Sequence, residues 1–186
     1  MTTQVANSRV SVVDPATAPS PAKELFAVVK GKFGMVPNLL KTMAHSPAVL
    51  EGFLGLNAAL AKGTLQARVR EQIALLVSQQ NGCEYCLSGH SLTGKLAGLK
   101  PEEIVAARHG QASDPHAQAV LTLTKNVLDR HGDVTDEQFE AARSAGVTDA
   151  ELAEVVGNIA VMTLTNYLNE LAHTDIDFPR VPLEVN

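Results

Sequence analysis

Helix punctuation recurs along the whole chain and constrains its fold more than any other feature. Ser20-Pro21 and Ser46-Pro47 each set a hydroxyl ahead of a proline, the pattern of an N-cap followed by a helical position that needs no N–H. Thr135 with Gln138, and Thr148 with Glu151, match the reciprocal capping box. Gly63, Gly82, Gly98, Gly110 and Gly146 stand where helices are expected to stop. No segment alternates apolar and polar residues long enough for a sheet. The expectation is an all-α, compact multi-helix bundle. Helices are predicted near 20–33, 37–44, 47–62, 65–80, 83–97, 101–109, 115–131, 136–145 and 149–172. The short connections predict that successive helices pack as hairpins.

A chain of 186 residues, 45 % apolar, is long enough for one domain with a real core. Residues 1–20 are expected to form an extended N-terminal arm, 21–173 a helical domain whose core is the segment 63–98, and 174–186 an extended tail. Phe178, Pro179, Val181, Pro182 and Leu183 in that tail predict that it lies against a surface. An echo runs through the helical part. Glu71 and His90 stand at the same offsets from Gly63 as Glu154 and His173 do from Gly146, with Asn166 and Asn169 at the cysteine positions. It reads either as an old duplication with one silent copy or as chance. The net charge of −5 leaves no basic excess for neutralising phosphates, so nucleic acid is not an expected partner. Without a secretory-type or membrane-spanning apolar run, the chain reads as cytoplasmic.

The two cysteines are only three positions apart, at Cys83 and Cys86. Such a pair closes no useful loop, so its value is chemical rather than structural. At about 100° per residue, Cys83, Cys86 and His90 share one stripe of the helix that opens at Cys83. Cys86 and His90 are i,i+4 neighbours. A base beside a thiol lowers its pKa from about 8.5 and generates the nucleophilic thiolate. If the preceding helix folds back about Asn81-Gly82, Glu71 comes level with His90, where a carboxylate orients the imidazole and raises its basicity. Cys86 is therefore assigned as the thiol that meets oxidant, Cys83 as the resolving thiol, His90 as the general base and Glu71 as the relay. The sequence of states is thiolate, sulfenic acid, disulfide.

Two plainer readings compete: a pair of buried, inert thiols, and a metal site built from Cys83, Cys86, His90 and Glu71. One helical stripe makes a poor tetrahedron, so no metal is expected, and no organic cofactor either. His45, His109, His116, His131 and His173 read as surface or capping residues, and Tyr85 as packing.

Glu71, eleven residues, Cys83-x-x-Cys86, three residues, His90 resembles the motif of the alkylhydroperoxidase D-like branch of the carboxymuconolactone decarboxylase family. Thr163 to Leu171 and Asp177-Phe-Pro179 are similar to its peroxidase-related members. The resemblance, over roughly Ala22 to Pro179, implies an all-α fold and homo-oligomers, often trimers or paired trimers. It implies peroxide reduction by the two cysteines, a Glu–His proton relay from the second cysteine, and recycling by a dithiol such as a lipoyl-bearing protein. Tyr85 departs from the best-understood members, which have a histidine just before the second cysteine. The alternatives are a cofactor-free decarboxylase or isomerase of a carboxylated lactone, with Glu71 and His90 as acid and base, and a redox-sensing binding module. The apolar residues from Leu152 to Leu171 wrap wider than one buried stripe, which also predicts self-association.

Overall fold

A computed structural model of the chain describes residues 8–184. The start of the N-terminal arm, 1–7, and the end of the tail, 185–186, lie outside the described residues. Nine α-helices and no strand occur among them: α1 (Ser20–Phe33), α2 (Asn38–Met43), α3 (Pro47–Leu60), α4 (Ala67–Gln80), α5 (Glu84–Leu96), α6 (Pro101–Arg108), α7 (Pro115–Asp129), α8 (Asp136–Ser144) and α9 (Asp149–Ala172). None is long and apolar enough to cross a membrane.

Most of the expected caps form. Ser46 Oγ accepts from Val49 N, and both capping boxes, Thr135–Gln138 and Thr148–Glu151, close reciprocally. Ser20 differs: Pro19 holds the extended N-cap position, so Ser20 is already helical and its hydroxyl donates to Glu24 Oε1 at 3.1 Å. α7 stops at Asp129 rather than at 131 because His131 and Gly132 both take positive φ, 53° and 92°.

The start of α4 shows a constraint that no local signal encodes. Glu154, reaching from α9, accepts from Thr64 N, Thr64 Oγ1 and Leu65 N at 2.7, 2.9 and 2.8 Å. These bonds hold the loop extended, so α4 begins at Ala67 instead of 65. They also explain Gly63, where a Cβ would lie 2.5 Å from the Glu154 carboxylate. The internal echo has no counterpart in space. Glu71 and His90 face each other across a helical hairpin, whereas Glu154 and His173 sit at opposite ends of one helix. Nineteen residues at 1.5 Å rise separate them by about 28 Å.

α4 is the central helix. Ile73, Leu75 and Val77 are fully buried, and Val69, Ala74 and Leu76 nearly so, because α5, α6, α7 and α9 all pack on it. Burying one such aliphatic side chain contributes roughly 1.5–3 kcal/mol. The main core runs from α1 through α9. A second cluster of Leu75, Leu87, Leu99, Ile104 and Ala107 lies between α4, α5 and α6, with Val181 and Leu183 of the tail against it.

The tail is tied down as a strap across α5. Arg180 pairs with Glu84, and Val181 N donates to Ser88 Oγ at 2.9 Å. Arg108, buried, donates to the carbonyls of Pro182 and Leu183 at 2.7 and 2.8 Å. Further back, Asp177 accepts from Asn38 N at 2.8 Å and Leu39 N donates to Tyr85 Oη at 3.0 Å. The tail and α5 thus satisfy the first amides of α2, whose N-cap Pro37 offers no side-chain acceptor.

Candidate active site

α4 turns into α5 at Asn81-Gly82, where Gly82 takes φ +71°. Such a left-handed position favours glycine. Cys83 is the N-cap of α5, and its sulfur accepts from Cys86 N at 3.4 Å. This local geometry sets the two sulfurs one turn apart at a helix N-terminus, where the unpaired amides favour an anion. Both thiols are reduced and buried, Cys83 at 0 % exposure and Cys86 at 4 %, so Cys86 is the one with a trace of access.

The hairpin brings Glu71 and His90 together as the spacing predicts. Glu71 Oε2 lies 2.8 Å from His90 Nδ1, and Thr93 Oγ1 donates to the same oxygen at 2.6 Å. Burial opposes the Glu71 carboxylate. The positive His90, by charge and by hydrogen bond, outweighs that, and with Thr93 and Arg70 it holds Glu71 below its ordinary value. Burial likewise opposes the His90 imidazolium, but the Glu71 charge and hydrogen bond, followed by the Cys86 charge, raise it. The two side chains keep 22 % and 28 % of their surface accessible, enough for protons to exchange with solvent.

Cys86 is set differently from the i,i+4 expectation. His90 commits Nδ1 to Glu71 and acts on Cys86 through its charge. The atoms bonded to Cys86 Sγ come from Cys83 and from α9. Asn169 Nδ2 donates to it at 3.2 Å, and Thr165 Oγ1 lies at 3.9 Å. The hydrogen bond from Cys83 is the largest influence and lowers the Cys86 thiol. Burial works against it, and the charge of His90 with the amides of Asn169 and Asn166 completes the shift to about 6. Cys83 is driven strongly upward by the same bond, by burial and by the neighbouring thiolate, so the single proton of the pair resides on Cys83. These influences favour a Cys86 thiolate beside a Cys83 thiol, and the Glu71–His90 contact favours the carboxylate and the imidazolium.

Asn169, Thr165 and Asn166 were not among the residues assigned from sequence, where the two asparagines figured only as the silent half of the echo. The signal available was three polar side chains on an otherwise apolar stretch of α9. Asn166 accepts from Asn81 Nδ2 at 2.9 Å and donates to Ser78 Oγ at 3.3 Å, pinning the turn ahead of Cys83 to α9.

Tyr85 faces away from the proton path. It donates to Asp177 Oδ1 at 2.7 Å and packs edge-on to Phe178, ring centroids 5.5 Å apart. Burial keeps its hydroxyl protonated, pushing its pKa well above the ordinary tyrosine value. Of the other histidines, His109 and His173 end helices and His45 bonds Ser11 O. His116 instead pairs with Glu151 at 2.8 Å, which raises it. No group of three or more histidine, cysteine or carboxylate side chains is arranged to hold a metal ion among the described residues.

The all-α fold of the described residues matches that of an alkylhydroperoxidase D-like protein. Residues 47–126, which carry Glu71, Cys83, Cys86 and His90, match the carboxymuconolactone decarboxylase family. An alkylhydroperoxidase AhpD core protein from Ralstonia eutropha, described as peroxidase-related, superposes with a TM-score of 0.83 at 26 % identity over 94 % of each chain. A peroxidase-related protein from a Silicibacter species gives 0.79 at 22 % identity over 94 % of each chain. The debrominase Bmp8 gives 0.76 at 21 % identity, over 93 % of this chain and 94 % of its own. The last two establish a shared fold. No curated protein sequence matches the chain significantly.

Proposed function

We propose that this protein is a thiol-dependent hydroperoxide reductase of antioxidant type. The observation that carries this reading is the buried Cys86 sulfur, which accepts from Asn169 Nδ2 at 3.2 Å at the N-terminus of α5, next to Cys83 and within reach of the field of a Glu71–His90 contact at 2.8 Å. The Cys86 thiolate attacks the hydroxyl-bearing oxygen of a hydroperoxide. An S–O bond forms, the O–O bond breaks, sulfur loses two electrons and an alkoxide leaves. His90, whose protonated form the Glu71 contact favours, gives its proton to the alkoxide. Its part as general base lies in forming the thiolate, and its part in bond cleavage is that of an acid. Cys83 then attacks the Cys86 sulfenic sulfur, forming the disulfide as hydroxide leaves with the Cys83 proton as water. A dithiol reductant, of which a lipoyl-bearing protein is one candidate, restores both thiols. Neither metal nor organic cofactor is needed for this balance.

The test is peroxide consumption by the full chain with dihydrolipoamide and other candidate dithiols. Multiple turnovers that stop when both cysteines are alkylated are expected. Oxidation that occurs once and is not reversed by any dithiol would favour a redox sensor. Turnover of a carboxylated lactone that ignores cysteine alkylation would favour the decarboxylase.

We further propose that the active form is a homo-oligomer. Val156, Leu164, Tyr167 and Leu171 follow one face of α9, and Tyr167 and Leu171 are 62 % and 68 % exposed. A stripe of that length on a helix already buried on its other face fits a subunit contact. Light scattering at micromolar concentration is expected to give a multiple of 19.7 kDa, three by resemblance. The monomer mass would refute it.

A further inference from the structure

The side chain of Asn169 is almost fully enclosed, 2 % exposed, and its two polar atoms are treated unequally. Nδ2 donates to Cys86 Sγ at 3.2 Å, while Oδ1 is buried with no hydrogen-bond partner among the described residues. A buried acceptor left open is costly, and such a group in a native protein calls for a reason, a catalytic role among them. Nδ2 and Oδ1 share one amide carbon, so a donor that fills Oδ1 sits beside the Cys86 sulfur. The neighbouring groups do not compete for this position. The Thr165 hydroxyl proton is committed to Met162 O at 2.9 Å, and the Asn166 amide is already paired at both atoms.

Resting on the thiol-peroxidase reading above, we propose that Asn169 is a catalytic residue that contacts both reacting partners. Its amide N–H holds the Cys86 thiolate, and its Oδ1 receives the O–H of the hydroperoxide. That contact selects a substrate with a hydroxyl hydrogen on the oxygen to be attacked, which is the chemical class of hydroperoxides. It aligns the correct oxygen with sulfur. As the S–O bond forms and the O–O bond breaks, the hydrogen stays on the transferred oxygen, and the new sulfenic acid remains bonded to Oδ1. The alkoxide leaves on the opposite side and takes its proton from His90. One amide therefore serves the thiolate before the step and its oxidised product afterwards, without moving.

The experiment compares Asn169→Leu, close in shape but without polar atoms, with Asn169→Asp, which keeps an acceptor and loses the donor. Thiolate absorbance against pH gives the Cys86 ionisation, and rate constants are taken with hydrogen peroxide and with iodoacetamide, whose attacked carbon bears no hydroxyl. Asn169→Leu is expected to raise the Cys86 pKa by about one unit, which lowers the thiolate fraction at pH 7 from about nine-tenths to about one-half. After correction for thiolate fraction, alkylation should be unchanged and peroxide reduction roughly tenfold slower. Asn169→Asp should raise the pKa further, by like charge, yet lose less of the corrected peroxide rate. Equal corrected losses with both reagents would leave Asn169 a thiolate holder and overturn the substrate contact. An unchanged pKa would overturn the thiolate contact. If neither variant folds, the side-chain amide resonance of Asn169 in the unmodified protein must titrate with Cys86, and a flat resonance overturns the proposal. Failure of the general reading is recognised separately: the unmodified protein would be alkylated normally and would not react with peroxide, and the Oδ1 contact would fall with it.

Discussion

Cys86→Ser is expected to abolish peroxide reduction, and Cys83→Ser to permit one reaction and then stop. A serine hydroxyl is not ionised in this site, so removing the thiolate removes the attacking atom, a loss on the order of 10⁴-fold or more. Cys83 contributes differently. Its S–H stabilises the Cys86 thiolate, and a serine hydroxyl still supplies a donor, so the first step should keep its order of magnitude. The missing function is resolution, so the Cys83→Ser protein should accumulate a Cys86 sulfenic acid that gains one oxygen and reacts with a sulfenic-specific trap. The unmodified protein should instead lose two hydrogens in the peptide carrying both cysteines, since Cys83 and Cys86 are one helical turn apart. The pH profile adds a sign. With Cys86 brought down to about 6, its proton is lost as pH rises through that value. The rate should climb from pH 5 and level off near 7, instead of rising through the ordinary thiol range about 8.5. Peroxide reactivity retained by Cys86→Ser, or oxidation that yields crosslinks between chains and no intramolecular disulfide, would remove this assignment.

His90→Ala is expected to slow peroxide reduction by about 10²–10⁴-fold, the usual worth of a positioned proton donor or base. It removes the positive charge that helps lower Cys86, so the inflection of the pH profile should move upward as the rate falls. Glu71→Gln keeps the shape and loses the charge. His90 then loses the partner that raises it, burial prevails, and the imidazolium gives up its proton at lower pH. That variant should cost less than His90→Ala. Because Glu71 acts on Cys86 through His90, the double variant should be little worse than His90→Ala alone. Rapid-mixing kinetics, with thiolate absorbance followed in parallel, measure both quantities. Independent, multiplying losses would place Glu71 outside the relay. An unchanged rate and inflection in His90→Ala would mean that Cys83, Asn169 and the helix N-terminus suffice to hold the thiolate.

The Glu71–His90 contact was legible in the sequence because it depends on one hairpin. Glu71 and His90 lie on consecutive helices joined by only three residues, Asn81 to Cys83, so chain connectivity alone brings them level. The helices were legible for the same reason. Capping at Ser46, Thr135 and Thr148 is a local transaction between residues three apart. Where a remote group intervened, the local reading shifted. Glu154 delays α4 by its grip on Thr64 and Leu65, and Gly63 answers to that carboxylate and not to a helix end.

The environment of Cys86 lies beyond that horizon. Asn169 is eighty-three residues away and reaches the sulfur only because α9 packs across α4 and α5. A polar side chain inside an apolar helix signals that it must find a partner, since burying it unpaired is costly, but nothing in its spacing names the partner. The same holds for Tyr85. It reads as a packing residue from the sequence, but that its partners are Asp177 and Phe178 was decided by where the folded tail lies. Short-range periodicity and capping therefore dictated the helices, the α4–α5 hairpin and the Glu–His pair behind the cysteines. Which atoms surround the reactive sulfur was settled by packing between distant helices, because the fields and hydrogen bonds that tune a buried thiol act through space and not along the chain.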